Sequence, residues 1–321
     1  MVDRNEIVSQ TVEMVSEGDL SVLNSLLTKK KLLMSGDPSH KQIRTALVFM
    51  GGAQSSGAII GGVSLAIEES GITEAFDNVL GVSAGSVAGY YLVAGQIRQG
   101  IEITTQDAYY HRLLRLGRPD QLADFSKLEM ILRRKRPVSN QRLIQNRTNL
   151  QVGLTDMNGD AVWINAKDVE DPIELLIGSM SHPLMNGGKA KNIGGNLYVD
   201  GCIASPLPIK CAAERFDATD ILVVLSRSPH SISPTGLGQR LLEQFHSRNY
   251  GSELKKAIST YDRRFTEEAK AIINSSLIPF SRVLAVYPKV NPIQQYTTDP
   301  KLLWTAVEAS ADYFRQLIGR V

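Results

Sequence analysis

The chain has 321 residues, of which 43% are hydrophobic and 21% charged, as in an ordinary globular protein. Its formal net charge of +2 is close to balance, so the overall charge does not indicate a nucleic-acid partner. The two cysteines, Cys202 and Cys211, are too few for a disulfide framework and too isolated for a zinc site. We therefore expect neither a metal nor another cofactor.

The N-terminal part of the chain is polar and has the periodicity of helices. It lacks the basic and apolar regions of a secretory signal, and no apolar run in the chain approaches the roughly 18 residues that cross a bilayer. Residues 5–34 have the apolar spacing of one or two amphipathic helices. We predict a helical extension over residues 1–40 and a single domain over residues 41–321. The expected location is cytoplasmic, with reversible contact with a membrane surface left open.

Strands and helices alternate through the rest of the chain. The apolar run 45–50 ends at two glycines and is typical of a buried parallel strand. A helix over about 58–70, a strand over 78–81 and a second helix from Ala84 follow. Further strands are predicted at 149–155, 161–166, 221–225 and 282–287, and helices at about 237–276 and 300–318. This order indicates an α/β fold with a parallel sheet.

Residues 98–147 are predicted to be helical and are unusually basic. The segment contains 11 basic and 5 acidic residues, while the whole chain is nearly neutral. We predict that it forms a helical cap or insertion. Two interpretations of its charge remain open: contact with anionic lipid headgroups, and a solvated basic surface.

The sequence Gly81-Val82-Ser83-Ala84-Gly85 lies between a predicted strand and a predicted helix. Gly-x-Ser-x-Gly in that context places the serine on a sharp turn with its hydroxyl exposed, and the glycines Gly81 and Gly85 avoid clashes with neighbouring backbone. The following helix directs N–H groups toward a developing oxyanion. Ser83 is therefore the candidate nucleophile.

A nucleophilic serine needs a base, and the sequence offers two kinds. His111, His182, His230 and His246 follow Ser83, but none has a setting that favours catalysis. Asp200 follows Tyr198-Val199 at the end of a predicted strand and precedes Gly201, where a fixed carboxylate can accept the serine proton directly. By itself, Asp-Gly is also a common turn.

A glycine-rich loop, Gly51-Gly52-Ala53-Gln54-Ser55-Ser56-Gly57, joins the first predicted strand to a helix. Backbone N–H groups in such a loop point into one concavity, which can hold an oxyanion or a phosphate. The loop is not a P-loop, because no Gly-Lys-Ser/Thr follows, and it is a poor dinucleotide fingerprint.

In chain order, the glycine-rich loop, the turn at Ser83 and Asp200-Gly201 together resemble the patatin-like phospholipase family, over about residues 44–225. The resemblance implies a three-layer α/β/α fold with a mostly parallel central sheet and a helical cap. It implies hydrolysis of lipid acyl esters by a Ser–Asp dyad without metal, with Ser83 as nucleophile and Asp200 as base. The oxyanion hole would consist of the backbone N–H groups of Gly51, Gly52 and Ala53.

The loop departs from the family's usual Gly-Gly-Gly-x-Arg/Lys-Gly. Aligned on Gly57, two glycines and the basic residue are missing, and Ser56 occupies the basic position. This departure keeps open a catalytically impaired relative that binds lipid or protein. An ordinary α/β-hydrolase is a further alternative, but only one clear strand precedes the elbow, whereas that fold places several there.

Overall fold

The apolar runs predicted as strands pair with one another in a single sheet. The computed structural model describes residues 12–115, 121–230, 237–274, 277–291 and 293–321, so part of the predicted N-terminal helix and residues 116–120 of the basic segment lie outside it. The strands of the described residues are β1 Met14–Gly18, β2 Thr45–Phe49, β3 Asn78–Val82, β4 Asn149–Asp156, β5 Ala161–Asn165, β6 Lys191–Ile193, β7 Asn196–Asp200, β8 Asp220–Val224 and β9 Arg282–Pro288.

The centre of the sheet is parallel and its margins are antiparallel. Strands β9, β8, β2, β3 and β4 lie side by side in that order, all parallel. Strand β1 pairs antiparallel with β9, while β7 and β5 pair antiparallel with β4, and β6 with β7. Every residue of β2 and β8 is buried, as expected for parallel strands covered on both faces. The predicted α/β class is confirmed.

Helices cover this sheet and provide most of the remaining core. They are α1 Ser21–Ser35, α2 Ala53–Glu69, α3 Ala84–Val93, α4 Ile97–Glu102, α5 Ala108–Tyr110, α6 Phe125–Met130, α7 Asn140–Gln145, α8 Pro172–Ser179, α9 Pro183–Asn186, α10 Ile209–Glu214, α11 Leu237–His246, α12 Ser252–Ser259, α13 Tyr261–Ile273 and α14 Pro300–Ile318. Helix α2 packs between α3 and α14. A Cβ at Gly62 would lie 2.2 Å from the Val307 carbonyl oxygen, so glycine allows α2 and α14 to approach closely. None of the helices in the described ranges is both long and apolar enough to span a bilayer.

The N-terminal segment differs from its prediction. Helix α1 is present, but Met14–Gly18 is a strand rather than part of a helix. It pairs with β9 from Met14↔Pro288 to Gly18↔Leu284, and this edge supplies the backbone hydrogen bonds that a helix would otherwise make internally. Apolar residues of the segment, including Val22 and Leu26, belong to the main core. The division of the chain at residue 40 stays a prediction.

A buried lysine fastens α1 to the sheet. The Lys29 side chain is fully buried, and its ammonium contacts the Asp77 carboxylate and donates to Thr45 Oγ1 at 3.1 Å. Burial lowers the pKa of Lys29, and the contact with Asp77 opposes that shift. Removing one partner of a buried ion pair leaves the other uncompensated.

We expect Lys29→Met to lower the free energy of unfolding by about 2 kcal/mol, below the usual 3–5 kcal/mol for a buried pair because Asp77 is partly exposed and also contacts Arg147. Urea denaturation measures the change. Lys31→Met, at an exposed position on the same helix, is the control and should change stability by no more than about 0.5 kcal/mol. Equal stability of the two variants would contradict this role for Lys29.

Candidate active site

Ser83 occupies a strained turn between β3 and α3. Its backbone has φ 53° and ψ −130°, a region that residues with a Cβ rarely adopt. Two hydroxyl groups hold the turn: Ser179 Oγ accepts from the Ser83 N–H at 2.9 Å, and Ser86 Oγ donates to the Ser83 carbonyl at 2.6 Å. Ser179 Oγ in turn donates to the Gly153 carbonyl of β4 at 2.7 Å. The turn is therefore anchored to the neighbouring strand.

The glycines that flank Ser83 are required by close backbone contacts. A Cβ at Gly81 would lie 2.7 Å from the Gly85 carbonyl oxygen. A Cβ at Gly85 would lie 2.5 Å from the carbonyl oxygen of Met50, where β2 ends. Both distances are shorter than real Cβ contacts, so any side chain at either position would displace the turn or the end of β2.

The strand register brings the candidate residues to one level of the sheet. Val82 pairs with Gly153 of β4, and Leu154, the next residue of β4, pairs with Asp200. Ser83 and Asp200 are therefore level with each other on either side of β4. Because β7 runs antiparallel to β4, its C-terminal residue arrives at the edge where β3 ends. Phe49 of β2 pairs with Gly81 of β3. Gly51 follows Phe49 by two residues, as Ser83 follows Gly81, so Gly51 lies level with Ser83.

Asp200 is hydrogen bonded to Ser83. The Ser83 hydroxyl donates to Asp200 Oδ2 at 2.9 Å, and the Cys202 N–H donates to Oδ1 at 2.9 Å. The Asp200 side chain is buried, and burial raises its pKa to about 6, although the hydrogen bonds from Cys202 and Ser83 favour the ionised form. A carboxyl group with this pKa can accept and return a proton near neutral pH.

Backbone contact fixes the position of Asp200. A Cβ at Gly201 would lie 2.1 Å from the Gly153 carbonyl oxygen, so only glycine lets the chain after Asp200 lie against β4. The Asp200 carbonyl also accepts from the Thr155 hydroxyl at 2.8 Å. The carboxylate is therefore positioned by main-chain packing rather than by a mobile side chain.

The glycine-rich loop is shorter than predicted, because α2 begins at Ala53 and not near residue 58. Gly52 has φ 146° and Ala53 has φ 48°, so Ala53 adopts a left-handed conformation despite its Cβ. Among the described residues, none accepts a hydrogen bond from the N–H of Gly51, Gly52 or Ala53, whereas the Gln54 N–H donates to the Gln295 carbonyl at 3.1 Å. Three N–H groups thus remain beside the start of a helix.

Gly51 lies in contact with Ser83. A Cβ at Gly51 would lie 2.8 Å from Ser83 Cβ and 2.3 Å from Cys202 Sγ. Ser56, at the position of the family's basic residue, donates to Ser226 Oγ at 2.8 Å and is buried. A buried hydroxyl pair between α2 and the loop after β8 therefore occupies this position.

A cavity of about 1000 Å³ opens above Ser83 and Asp200. The loop residues Gly51, Gly52 and Ala53 and the side chain of Cys202 form part of its floor. Residues of α11, α12 and α13 form a wall. A small second core, in which Val199 and Ile203 pack against Leu254 and Ala257, fixes α12 beside the end of β7. The sequence contains no motif that predicts this wall, because its helices have only ordinary amphipathic periodicity.

The basic segment that was predicted to form a helical cap lies away from this cavity. Residues 98–147 contain short helices, but none of the segment's described residues lines the cavity. Its basic side chains are largely paired with carboxylates, several of which come from outside the segment. The pairs among the described residues are Arg98–Glu69, Arg115–Asp124, Lys127–Asp124, Arg133 with Glu129, Asp171 and Glu174, Lys135–Asp107, Arg136 with Glu102 and Asp107, and Arg147–Asp77. This pairing favours the solvated basic surface over contact with anionic lipid.

The histidines have other partners. His230 Nε2 lies 2.7 Å from Glu17 Oε2, and His111 Nε2 lies 2.9 Å from Lys135 Nζ. Among the described residues that line the cavity, His182 is the only histidine. Its Nδ1 accepts from the Leu184 N–H at 3.3 Å, and burial lowers its pKa to about 4.

Comparison with known proteins gives a family match and a similar solved structure. The family model of the patatin-like phospholipases matches residues 47–213, a segment that contains the last three residues of β2, the turn at Ser83 and Asp200. The chain belongs to the patatin-like phospholipase family. This patatin-like chain is similar to the solved structure of VipD from Legionella pneumophila, with a TM-score of 0.48 and 14% sequence identity, over 87% of this chain and 67% of that chain. No curated protein matches it.

Membership of this family supports lipid acyl hydrolysis as the activity at the level of the family. The resemblance noted in the sequence is confirmed. The individual roles of Ser83, Asp200 and the loop N–H groups stay predictions. Three further residues contribute to the site, namely Ser179, Cys202 and Ser226. No pattern in the sequence predicts their contacts.

Proposed function

We propose that the chain is a serine acyl hydrolase that cleaves lipid acyl esters with a Ser83–Asp200 dyad. The observation that carries the proposal is the 2.9 Å hydrogen bond from Ser83 Oγ to Asp200 Oδ2 on the floor of the cavity. Three N–H groups without a partner among the described residues lie beside it. Apolar residues such as Met185, Ile203 and Ile258 line the cavity, and an acyl chain can pack against them.

In the proposed reaction, Asp200 takes the hydroxyl proton as Ser83 Oγ attacks the ester carbonyl carbon. The negative charge moves to the carbonyl oxygen, where the N–H groups of Gly51, Gly52 and Ala53 donate hydrogen bonds. When the intermediate collapses, the carbon–oxygen bond to the alcohol breaks and Asp200 returns the proton to that alcohol. Water then attacks the acyl carbon while Asp200 takes a proton from it. The bond from that carbon to Ser83 Oγ breaks, Asp200 returns the proton to Oγ, and the fatty acid leaves.

The pH dependence should identify the base. Asp200 acts as a base only when ionised, and its pKa is about 6. We therefore expect kcat/KM to rise with pH from about 5 to 7, with its midpoint near 6, and then to level off. His182, whose pKa is lowered to about 4, would give constant activity over the same range. A flat profile down to about pH 4.5 would contradict the assignment of Asp200.

A fluorophosphonate probe tests the proposal, because it reacts covalently with activated serines. Wild-type protein should be labelled under conditions that label a control esterase, and it should hydrolyse a p-nitrophenyl acyl ester. Absence of both would favour the alternative, a patatin-like protein that binds lipid or protein without catalysis. The substituted loop motivates that alternative, while the left-handed Ala53 and the loop N–H groups that have no acceptor among the described residues favour the enzyme.

A further inference from the structure

Arg227 is a cation of the cavity that the proposed chemistry does not use. It lines the cavity directly after Ser226, at the C-terminal end of β8. Strand β8 pairs with β2, and Val224 is opposite Phe49, so Ser226 lies level with Gly51. Across the sheet, the order is therefore Arg227, the glycine-rich loop, Ser83 and Asp200.

The guanidinium group of Arg227 is only partly satisfied. It lies 4.2 Å from the centroid of the Phe265 ring, and its Nη2 donates to the Tyr261 hydroxyl at 3.3 Å. Its Nε is buried and has no hydrogen-bond partner among the described residues. No carboxylate of those residues lies within ion-pair distance of Arg227. A buried donor without a partner is unfavourable, and the guanidinium as a whole keeps donors for an acceptor that enters the cavity.

The other cations of the cavity are different. Arg240, Arg248, Lys255 and Lys256 are all exposed at its rim. Arg240 lies 3.6 Å from Asp262, and Lys255 Nζ donates to the Arg248 carbonyl at 2.8 Å. Water screens such exposed charges, whereas Arg227 is half-buried and already oriented by a ring and a hydroxyl.

We propose that Arg227 binds the phosphate group of the substrate and so selects phosphorylated lipid esters over neutral ones. This inference rests on the proposed function, in which the substrate is a lipid acyl ester. A guanidinium presents a planar fork of donors that matches phosphate oxygens, and a desolvated site strengthens the contact. The apolar side chains of the same cavity favour a lipid phosphate over free phosphate, because they supply a surface for an acyl chain.

Binding can be measured without catalysis. In the Ser83→Ala protein, we expect octyl phosphate to bind by calorimetry at least about 10-fold more tightly than either octanol or inorganic phosphate, and Arg227→Met to weaken octyl phosphate about 10- to 100-fold. Arg215→Met is the matched control, since Arg215 lies over the Phe216 ring, 5.8 Å from its centroid, away from the cavity, and it should leave the affinity unchanged. Equal binding of inorganic phosphate would overturn the assignment to a lipid phosphate.

Catalysis gives the second measurement. For a monoacylglycerophosphate and a monoacylglycerol with the same acyl chain, we expect wild-type kcat/KM to favour the phosphorylated ester at least about 10-fold, and Arg227→Met to remove that preference. The unfolding midpoint of the variant should stay close to wild type, and Arg215→Met should keep the preference and the fluorophosphonate labelling of wild type, which separates selection from a structural effect. If Arg227→Met does not fold, Arg227→Lys replaces it and should reduce the preference, because an ammonium lacks the fork of donors. A preference that stays at the wild-type level in the variant that folds would overturn the proposal.

The two proposals fail separately. If octyl phosphate binding depends on Arg227 while wild type hydrolyses neither ester, the phosphate site stands and the esterase function falls. If wild type hydrolyses both esters equally and octyl phosphate binding is indifferent to Arg227, the esterase function stands and the phosphate site falls.

Discussion

Ser83→Ala is expected to lower acyl-ester hydrolysis by at least about 10⁴-fold and to abolish fluorophosphonate labelling, because no other group would form the acyl-enzyme. The side chain is small and partly exposed, and its Oγ donates to Asp200 Oδ2. The variant should therefore fold like wild type. Hydrolysis of a p-nitrophenyl ester and gel-based labelling measure the two effects.

A serine outside the site provides the comparison. Ser70 Oγ donates to the Ile67 carbonyl of its own helix at 2.9 Å, and Ser70 does not line the cavity. Ser70→Ala should keep full labelling and activity. If Ser83→Ala were still labelled at the wild-type rate, the reactive serine would be another residue and the proposed nucleophile would be wrong.

Asp200→Asn should slow both hydrolysis and probe labelling by about 10²- to 10⁴-fold, the usual contribution of a general base. Asparagine has the same shape and can still accept from the Cys202 N–H, but it cannot take the proton of Ser83. Thermal unfolding should remain within a few degrees of wild type. The pH step near 6 should disappear from the residual activity, since it belongs to the Asp200 carboxyl group.

Histidine variants decide between the two kinds of base. His182→Gln, His230→Gln and His246→Gln should each retain labelling within about 3-fold of wild type, as surface or supporting positions do. Wild-type labelling in Asp200→Asn, together with loss of labelling in one histidine variant, would reject the dyad. His182 would then be the first residue to reconsider, because it lines the cavity.

The sequence predicted most strands of the sheet to within two residues, including β4, β5 and β9, but not the edge strand β1. The runs at 45–50, 78–81 and 221–225 correspond to β2, β3 and β8 within two residues, because fully buried parallel strands have continuous apolar sequences. Met14–Gly18 was assigned to a helix, since a short edge strand depends on a partner, β9, that is more than 260 residues away. Local periodicity contains no information about that pairing.

The residues of the candidate site also differ in how well the sequence predicts them. Gly81, Ser83 and Gly85 were recognisable because a tight turn restricts which residues can occupy it. Asp200 was recognisable only together with the other motifs, and its distance from Ser83 results from the register of β3, β4 and β7. The cavity wall and Arg227 were not predicted, because their contribution depends on how distant segments pack and not on a local pattern.

The floor and the wall of the cavity come from different parts of the chain. Gly51, Ser83 and Asp200 lie within residues 47–213, which match the family, whereas Arg227 and helices α11 to α13 follow that segment. An exchange of the cavity-lining residues of α11 and α12 that keeps Leu254 and Ala257 would therefore alter which molecules enter the cavity while the reacting atoms keep their places. Such a graft offers a route to new substrate preference on an unchanged chemical core.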